Sequence, residues 1–201
     1  FYGNLADDEA AFTGLGVRYS RLTRENASFA DTSDYVINAG GTGSKCTSIW
    51  LPVFGENSIH GIFPKGSKAG LQMEDKGQVT LEDPEGGRYE GYRIHYAWEA
   101  GLAVRDFRQC VRIANIDTTS LANVDLVGHI VDAVERIHNL SSGKAVMYAN
   151  RQVLTALRNQ IRKTDNVHLT LQDVAGKKVT HFDDVPVRRV DALVNTEKAI
   201  S

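Results

Sequence analysis

Two stretches combine glycine with lysine at spacings able to cradle a phosphate. The first is Gly40-Gly41-Thr42-Gly43-Ser44-Lys45 and the second is Pro64-Lys65-Gly66-Ser67-Lys68-Ala69-Gly70. Backbone amides exposed by glycine, with an ammonium group close by, are the chemistry of nucleotide-binding loops and anion nests. The first stretch departs from a nucleotide-binding loop at two positions. Ser44 stands where a glycine should precede the lysine, and Cys46 stands where a hydroxyl should reach Mg²⁺. Such a loop must also open a helix, whereas Thr47 to Phe54 is rich in β-formers and contains Pro52. The second stretch reads as an exposed basic turn whose Lys65 and Lys68 keep an edge soluble and suit an acidic partner.

Other catalytic or metal patterns are missing from the sequence. Six histidines (His60, His95, His129, His138, His168, His181) form no HxH or HxxxH pair, although His60 and His95 both fall in β segments. Cys46 and Cys110 lie far apart without metal-ligand spacing and read as reduced structural thiols of a cytosolic product. No Gly-x-Ser-x-Gly elbow is present. The residues thus give no sign of an enzyme, a metal or a cofactor. A formal net charge of −2 on 201 residues selects neither nucleic acid nor an anionic membrane. No apolar run is long enough to span a bilayer, and no signal-peptide pattern appears.

Charge is instead segregated along the chain. Residues 74–90 carry Glu74, Asp75, Glu82, Asp83, Glu85 and Glu90 against only Lys76 and Arg88. Residues 144–163 carry Lys144, Arg151, Arg158, Arg162 and Lys163 and no acid. Two solvated faces are one reading. The other is electrostatic complementarity between copies, of the kind that fixes register in heterologous self-assembly. On that reading Lys65, Lys68, Glu82, Asp83, Glu85, Arg158 and Arg162 are candidate subunit contacts.

The elements that must hold these charges change period along the chain. From Thr47 to Ile113 the texture is β, with a hairpin predicted around Gly55-Glu56-Asn57 and another around Asp83-Pro84-Glu85-Gly86-Gly87. Consecutive hairpins predict an antiparallel meander. Asp125 is placed to cap a helix with Leu126, Ile130, Val134 and Ile137 on one face, ending at Ser141-Ser142-Gly143. Ala145 to Ala149 reads as a buried strand, and Asn150 caps a second helix with Val153, Leu154, Leu157 and Ile161 inward. Strands over 177–182 and 185–190 close the chain around Asp183-Asp184, with Pro186 at an edge or bulge.

Several segments together resemble the major capsid proteins of tailed bacteriophages. They include Ser48-Ile49-Trp50-Leu51, the long run Gly55 to Leu71, Gly86-Gly87-Arg88-Tyr89, His95-Tyr96 with Trp98, Val104-Arg105-Asp106, and Val111 to Asp117. Tyr148-Ala149-Asn150-Arg151, Asn166-Val167-His168-Leu169 and Pro186-Val187-Arg188-Arg189 continue the likeness over essentially the whole chain. The resemblance implies an α+β coat-protein fold of the Hong Kong phage type. Its parts would be an A-domain of helices around a small sheet, a P-domain β-sheet, and the antiparallel meander between. In those terms residues 1–46 are a P-domain-like segment, 47–117 the meander, 118–182 an A-domain-like helix-strand-helix, and 183–201 a return strand to the P-domain.

The implied function is a coat subunit that self-assembles into the icosahedral head shell around phage DNA. Implied partners are other copies in hexamers and pentamers, with a scaffolding or cementing protein, and packaged DNA through non-specific contact. No membrane and no cofactor is implied, and the implied location is the virion, assembled in the bacterial cytoplasm. The family's N-terminal arm, E-loop and spine helix precede the point where Phe1 stands, so a processed chain or fragment is expected. Many relatives also place a glycine before the Pro-Val pair of the last hairpin, where Asp184-Val185 stands here. Two other readings remain beside this one: a nucleotide- or phosphate-binding enzyme using Gly40–Lys45, and a non-viral interaction module using the acidic 74–90 hairpin.

Overall fold

The computed structural model describes residues 1–9, 11–25, 31–163, 169–174, 177–182 and 184–201. Asp183 of the closing turn and the Asn166-Val167-His168 stretch lie outside the described residues. In chain order the elements are α1 (Leu15–Arg18), β1 (Val36–Asn38), β2 (Cys46–Phe54), β3 (Ile59–Ile62), β4 (Gln72–Glu82), β5 (Arg88–Ala97) and β6 (Gly101–Val104). They continue with β7 (Cys110–Asp117), α2 (Leu126–Arg136), β8 (Lys144–Ala145), β9 (Met147–Ala149), α3 (Arg151–Lys163), β10 (Leu169–Val174), β11 (Lys177–Phe182) and β12 (Val185–Arg189).

Strands β2 and β7 lie side by side within the main sheet. The first eight residues of β2 and the first seven of β7 are buried, so both strands are covered on both faces. The strand order is β1-β7-β2-β9-β12-β11-β10. The sheet is mixed: β2–β7 and β2–β9 are antiparallel, but β1–β7 and β9–β12 run parallel. The hairpin expected at Gly55-Glu56-Asn57 does not form. β3 leaves β2 through a turn in which Gly55 donates to the Ile59 carbonyl at 3.0 Å, and its one register pair with β2, Phe54 to Ile59, is parallel. Pro186 is compatible with a strand flanked on both sides because pairing of β12 with β9 begins only at Val187.

Alternation along β2 and β7 divides the sheet into two faces. Ile49, Leu51 and Val53 join Val111 and Ile113 beneath Leu126, Ile130, Ala133 and Ile137 of the α2 region and Val153 and Leu157 of α3. Both helices begin as predicted. The Asp125 carboxylate accepts from the Gly128 amide at 3.0 Å, and the Asn150 side-chain carbonyl accepts from the Val153 amide at 2.9 Å. Helix α2 ends at Arg136, before Ser141-Ser142-Gly143, and a short 3-10 turn fills Leu140–Ser142.

The opposite face is polar at its centre and is covered by both ends of the described chain. Arg112 stands opposite Trp50 in the register, with its guanidinium 5.0 Å from the indole centroid. It donates to Glu197 at 2.8 Å, to the Ser48 hydroxyl at 3.0 Å and to the Tyr19 carbonyl at 2.7 Å. Glu197 also accepts from Tyr2 and Ser48, each at 2.5 Å. A buried ion pair is tolerable only when its remaining polar groups are satisfied, and here the cluster is closed.

The chain divides into two compact units, Phe1–His60 with Val104–Ser201, and Gly61–Ala103. The second unit is chiefly the antiparallel pair β4–β5, in which β4 begins at Gln72. A bulge between Asp75 and Gln78, with Gly77 at φ 69° and its amide on the Asp75 carboxylate at 2.8 Å, interrupts the alternation there. The predicted turn closes the pair: Gly86 takes φ 85°, and Asp83 exchanges backbone hydrogen bonds with Gly86 and Gly87 at 2.8 Å each.

Candidate functional site

Two amides of the Gly40–Lys45 loop are already engaged. Gly40 donates to the Asn38 side chain at 2.9 Å, and Gly41 donates to the Asn115 carbonyl at 2.8 Å. A side-chain carbon added at Gly41 would come within 2.4 Å of that carbonyl, so glycine serves close backbone approach to β7. The Lys45 carbonyl accepts from the Thr118 amide and hydroxyl at 3.0 and 2.8 Å. Strand β2, not a helix, follows Lys45. The loop splices β1 and β7 to the 193–201 tail, with Gly41 donating to Asn115 and the Gly43 carbonyl accepting from Ala199. Both thiols are buried, and burial raises the pKa of each above that of a free cysteine. Among the described residues no group of three or more His, Cys, Asp or Glu could hold a metal ion, and no helix is long and apolar enough to cross a membrane. His60 and His95 lie in different units, on β3 and β5.

The surface with chemistry is the second unit. Its pair register puts Met73 opposite Tyr96, Asp75 opposite Ile94, and Gln78 opposite Tyr92 on one face. These side chains are not covered: Met73 is 64% exposed, Tyr92 83%, Tyr96 56% and the adjoining Trp98 69%. A two-stranded pair in water is marginal by itself, and a contiguous exposed aromatic surface marks a contact site. Toward the turn the same face becomes charged, with Thr80 donating to Glu90 at 2.7 Å and Arg88 pairing with Glu82 at 2.9 Å. Glu82, Asp83 and Glu85 are all exposed, and neither Asp83 nor Glu85 makes an ion pair among the described residues. Lys65 and Lys68 are exposed on the loop that precedes β4, where the Lys68 carbonyl accepts from Gln72 at 3.1 Å.

In the first unit α3 turns its polar side outward. Residues 151, 158 and 162 recur at helical spacing, which aligns the exposed Arg151, Arg158 and Arg162 along one crest. Beside that crest is a groove of about 700 Å³, with Leu121, Ala122 and Ala156 in its lining and Arg151 and Arg162 on its border. Gln160 holds its walls together. Its side chain donates to the Leu121 and Val124 carbonyls at 3.3 and 2.5 Å and accepts from the Leu126 amide at 3.2 Å. Sequence reasoning found the arginines and the acidic turn but not the groove, because Gln160 gives no local signal of partners more than thirty residues away. It likewise missed the aromatic exposure, since periodicity marks a strand's faces without saying whether anything covers them.

Along residues 1–201 the chain matches the family described as Major capsid protein GP7. It belongs to that family. The GP7 match bears out the tailed-phage likeness drawn from Gly55–Leu71 and the flanking segments, and the mixed α+β organisation agrees with it. A chain of bacteriophage Epsilon15, from a near-atomic structure derived from cryo-EM and modelling, is similar to this one with TM-score 0.56 and 35% identity. The match covers 91% of the present chain and 62% of that one, so this chain spans less than two thirds of that relative's length. No curated protein matches the chain.

Proposed function

We propose that this GP7-family chain is the major coat subunit of a phage head, or a large part of it, and that its work is self-assembly into an icosahedral shell around packaged DNA. The observation that carries the reading is the family match along every residue, joined to a hairpin whose aromatic face has no cover in its own unit. A coat subunit needs two dissimilar complementary patches, because a heterologous contact repeated by rotation closes rings of five or six. The acidic turn at Glu82, Asp83 and Glu85 and the crest at Arg158 and Arg162 supply one such pair, and Lys65 and Lys68 supply a further cationic edge. In the family's terms, residues 118–182 would serve as A-domain and residues 1–46 and 183–201 as P-domain. A scaffolding or cementing protein would be a second partner, and DNA would be touched without sequence preference, in keeping with the near-neutral charge.

The test is assembly of the protein in its full-length context, followed by light scattering and electron microscopy over a range of concentrations. Capsomers or shells are the expected products. A strict monomer at every concentration would overturn the reading. Nucleotide titration separates the phosphate-enzyme alternative: saturable Mg²⁺-nucleotide binding lost in Lys45→Ala would favour it instead.

A further inference from the structure

The two faces of the β4–β5 pair differ in what lies beside them. On the face that carries Gln72 opposite Ala97 and Glu74 opposite His95, the 66–69 loop shares a hollow with these four residues. The other face is open. Tyr92, Ile94 and Tyr96 alternate along β5, with Met73 beside Tyr96 on β4 and Trp98 just beyond the strand end. Ile94 is 47% exposed and the other four more so. From the size of such side chains this surface amounts to about 600 Å² per copy, so two copies together would cover about 1,200 Å², enough for a specific interface. Resting on the assembly reading above, we infer that this face packs against the same face of a second copy across a two-fold axis. The strands of the two pairs run antiparallel, and Ile94 and Tyr96 lie nearest the axis.

The surface itself selects a second copy as the occupant. Among the described residues no other strand face exposes a run of aromatic side chains, so the β5 of another copy is the matching surface. Two such faces stack about 10 Å apart, with rings meeting offset or edge to face. Charge then fixes the direction. Residues 82–90 hold Glu82, Asp83, Glu85 and Glu90 against Arg88 alone, so two turns set side by side would repel. Antiparallel stacking sends them to opposite ends. Asp75 lies on β4 beside the rings, where its carboxylate is taken up by the Gly77 amide at 2.8 Å. The contact is isologous and closes at two copies, so in a shell it joins one ring to the next where heterologous contacts close the rings themselves.

Two measurements test the contact in the full-length protein. In the first, Ile94→Cys and, separately, Glu85→Cys are treated with a short bismaleimide after assembly; Cys46 and Cys110 are buried and do not compete. A covalent dimer is expected from Ile94→Cys and none from Glu85→Cys, because the turns point apart. Monomer alone from Ile94→Cys, in particles that form normally, would overturn the inference and leave the coat-subunit reading intact. A dimer through Glu85→Cys would overturn the antiparallel arrangement. In the second, Tyr96→Lys and Tyr96→Glu are each expected to slow assembly about tenfold, as like charges meet near the axis. An equimolar mixture of the two should restore it, because only a face that meets itself lets one variant rescue the other. A mixture no better than either variant, with circular dichroism showing both folded, would overturn the inference and assign the face to a different surface or a different protein. Wild-type protein that pairs in solution, as read by the Ile94→Cys dimer, yet never builds a shell would instead sink the coat-subunit reading and leave this contact standing.

Discussion

At the scale of single residues, Glu197 does more than any other to hold the polar face of the sheet. Its two oxygens receive Arg112, Ser48 and Tyr2, so its loss strands a buried guanidinium on strand β7. Glu197→Ala should therefore lower unfolding free energy by about 3–5 kcal/mol, the cost typical of breaking a buried pair from one side. Urea denaturation followed by Trp50 fluorescence measures it, because Trp50 is fully buried against that arginine. Cys110 sets a pH limit on the same face. Burial pushes its thiol well above the usual range, with Arg112 and the Tyr19 hydroxyl opposing only in part. An unfolded cysteine releases its proton near pH 8.5, so stability is complete below that value and falls by roughly 1.4 kcal/mol per unit as pH rises further. Thermal melts between pH 7 and 10 should show this decline, and Cys110→Ala should flatten it. Tyr19, also raised chiefly by burial, adds a second loss above roughly pH 10.

At the scale of elements, the two helix caps differ in how much hangs on them. Asp125 serves only its own helix end from an exposed position. Asn150 caps α3 and also donates to the Thr47 hydroxyl at 2.9 Å and to Asn195, tying helix, β2 and tail together. Asp125→Ala should cost about 1 kcal/mol and Asn150→Ala about 2 kcal/mol or more, read as shifts in denaturation midpoint. These helices were legible because cap and 3.6-residue period are local signals. The turn at Asp83–Gly87 was legible for the same reason. Direction of strand pairing was not: nothing near Val36–Asn38 announces a parallel partner at Arg112–Ala114, and nothing near Met147 announces Val187. Gly55-Glu56-Asn57 signalled a reversal, but only the contacts of Ile59 decide that β3 turns away from β2. Of the candidate contacts, charge was visible in composition, whereas the groove that gives Arg162 a shape to work with needed α3 folded against residues 121–126.

At the scale of the whole molecule, charge and apolar area should leave different traces in assembly. Exposed carboxylate–arginine contacts weaken as salt shortens the Debye length, from about 10 Å at 0.1 M to about 3 Å at 1 M. The aromatic face of β4–β5 gains from burial regardless of salt. Assembly followed by light scattering should therefore slow as sodium chloride rises, while shells already formed persist, because steering governs encounter more than residence. Loss of preformed shells in step with the slowing would contradict this division. The tail at residues 193–201 carries a consequence of another kind. It pairs Glu197 with Cys46 by backbone hydrogen bonds in both directions, places the Ile200 amide on Asn115, and receives Leu22 at Ser201. On a ribosome, Arg112 must wait for Glu197, 85 residues further along the chain, to neutralise it, whereas β4–β5 can close as soon as Arg88–Ala97 has emerged. The nascent chain thus completes the β4–β5 pair, with its aromatic face exposed, while its main sheet is still incomplete.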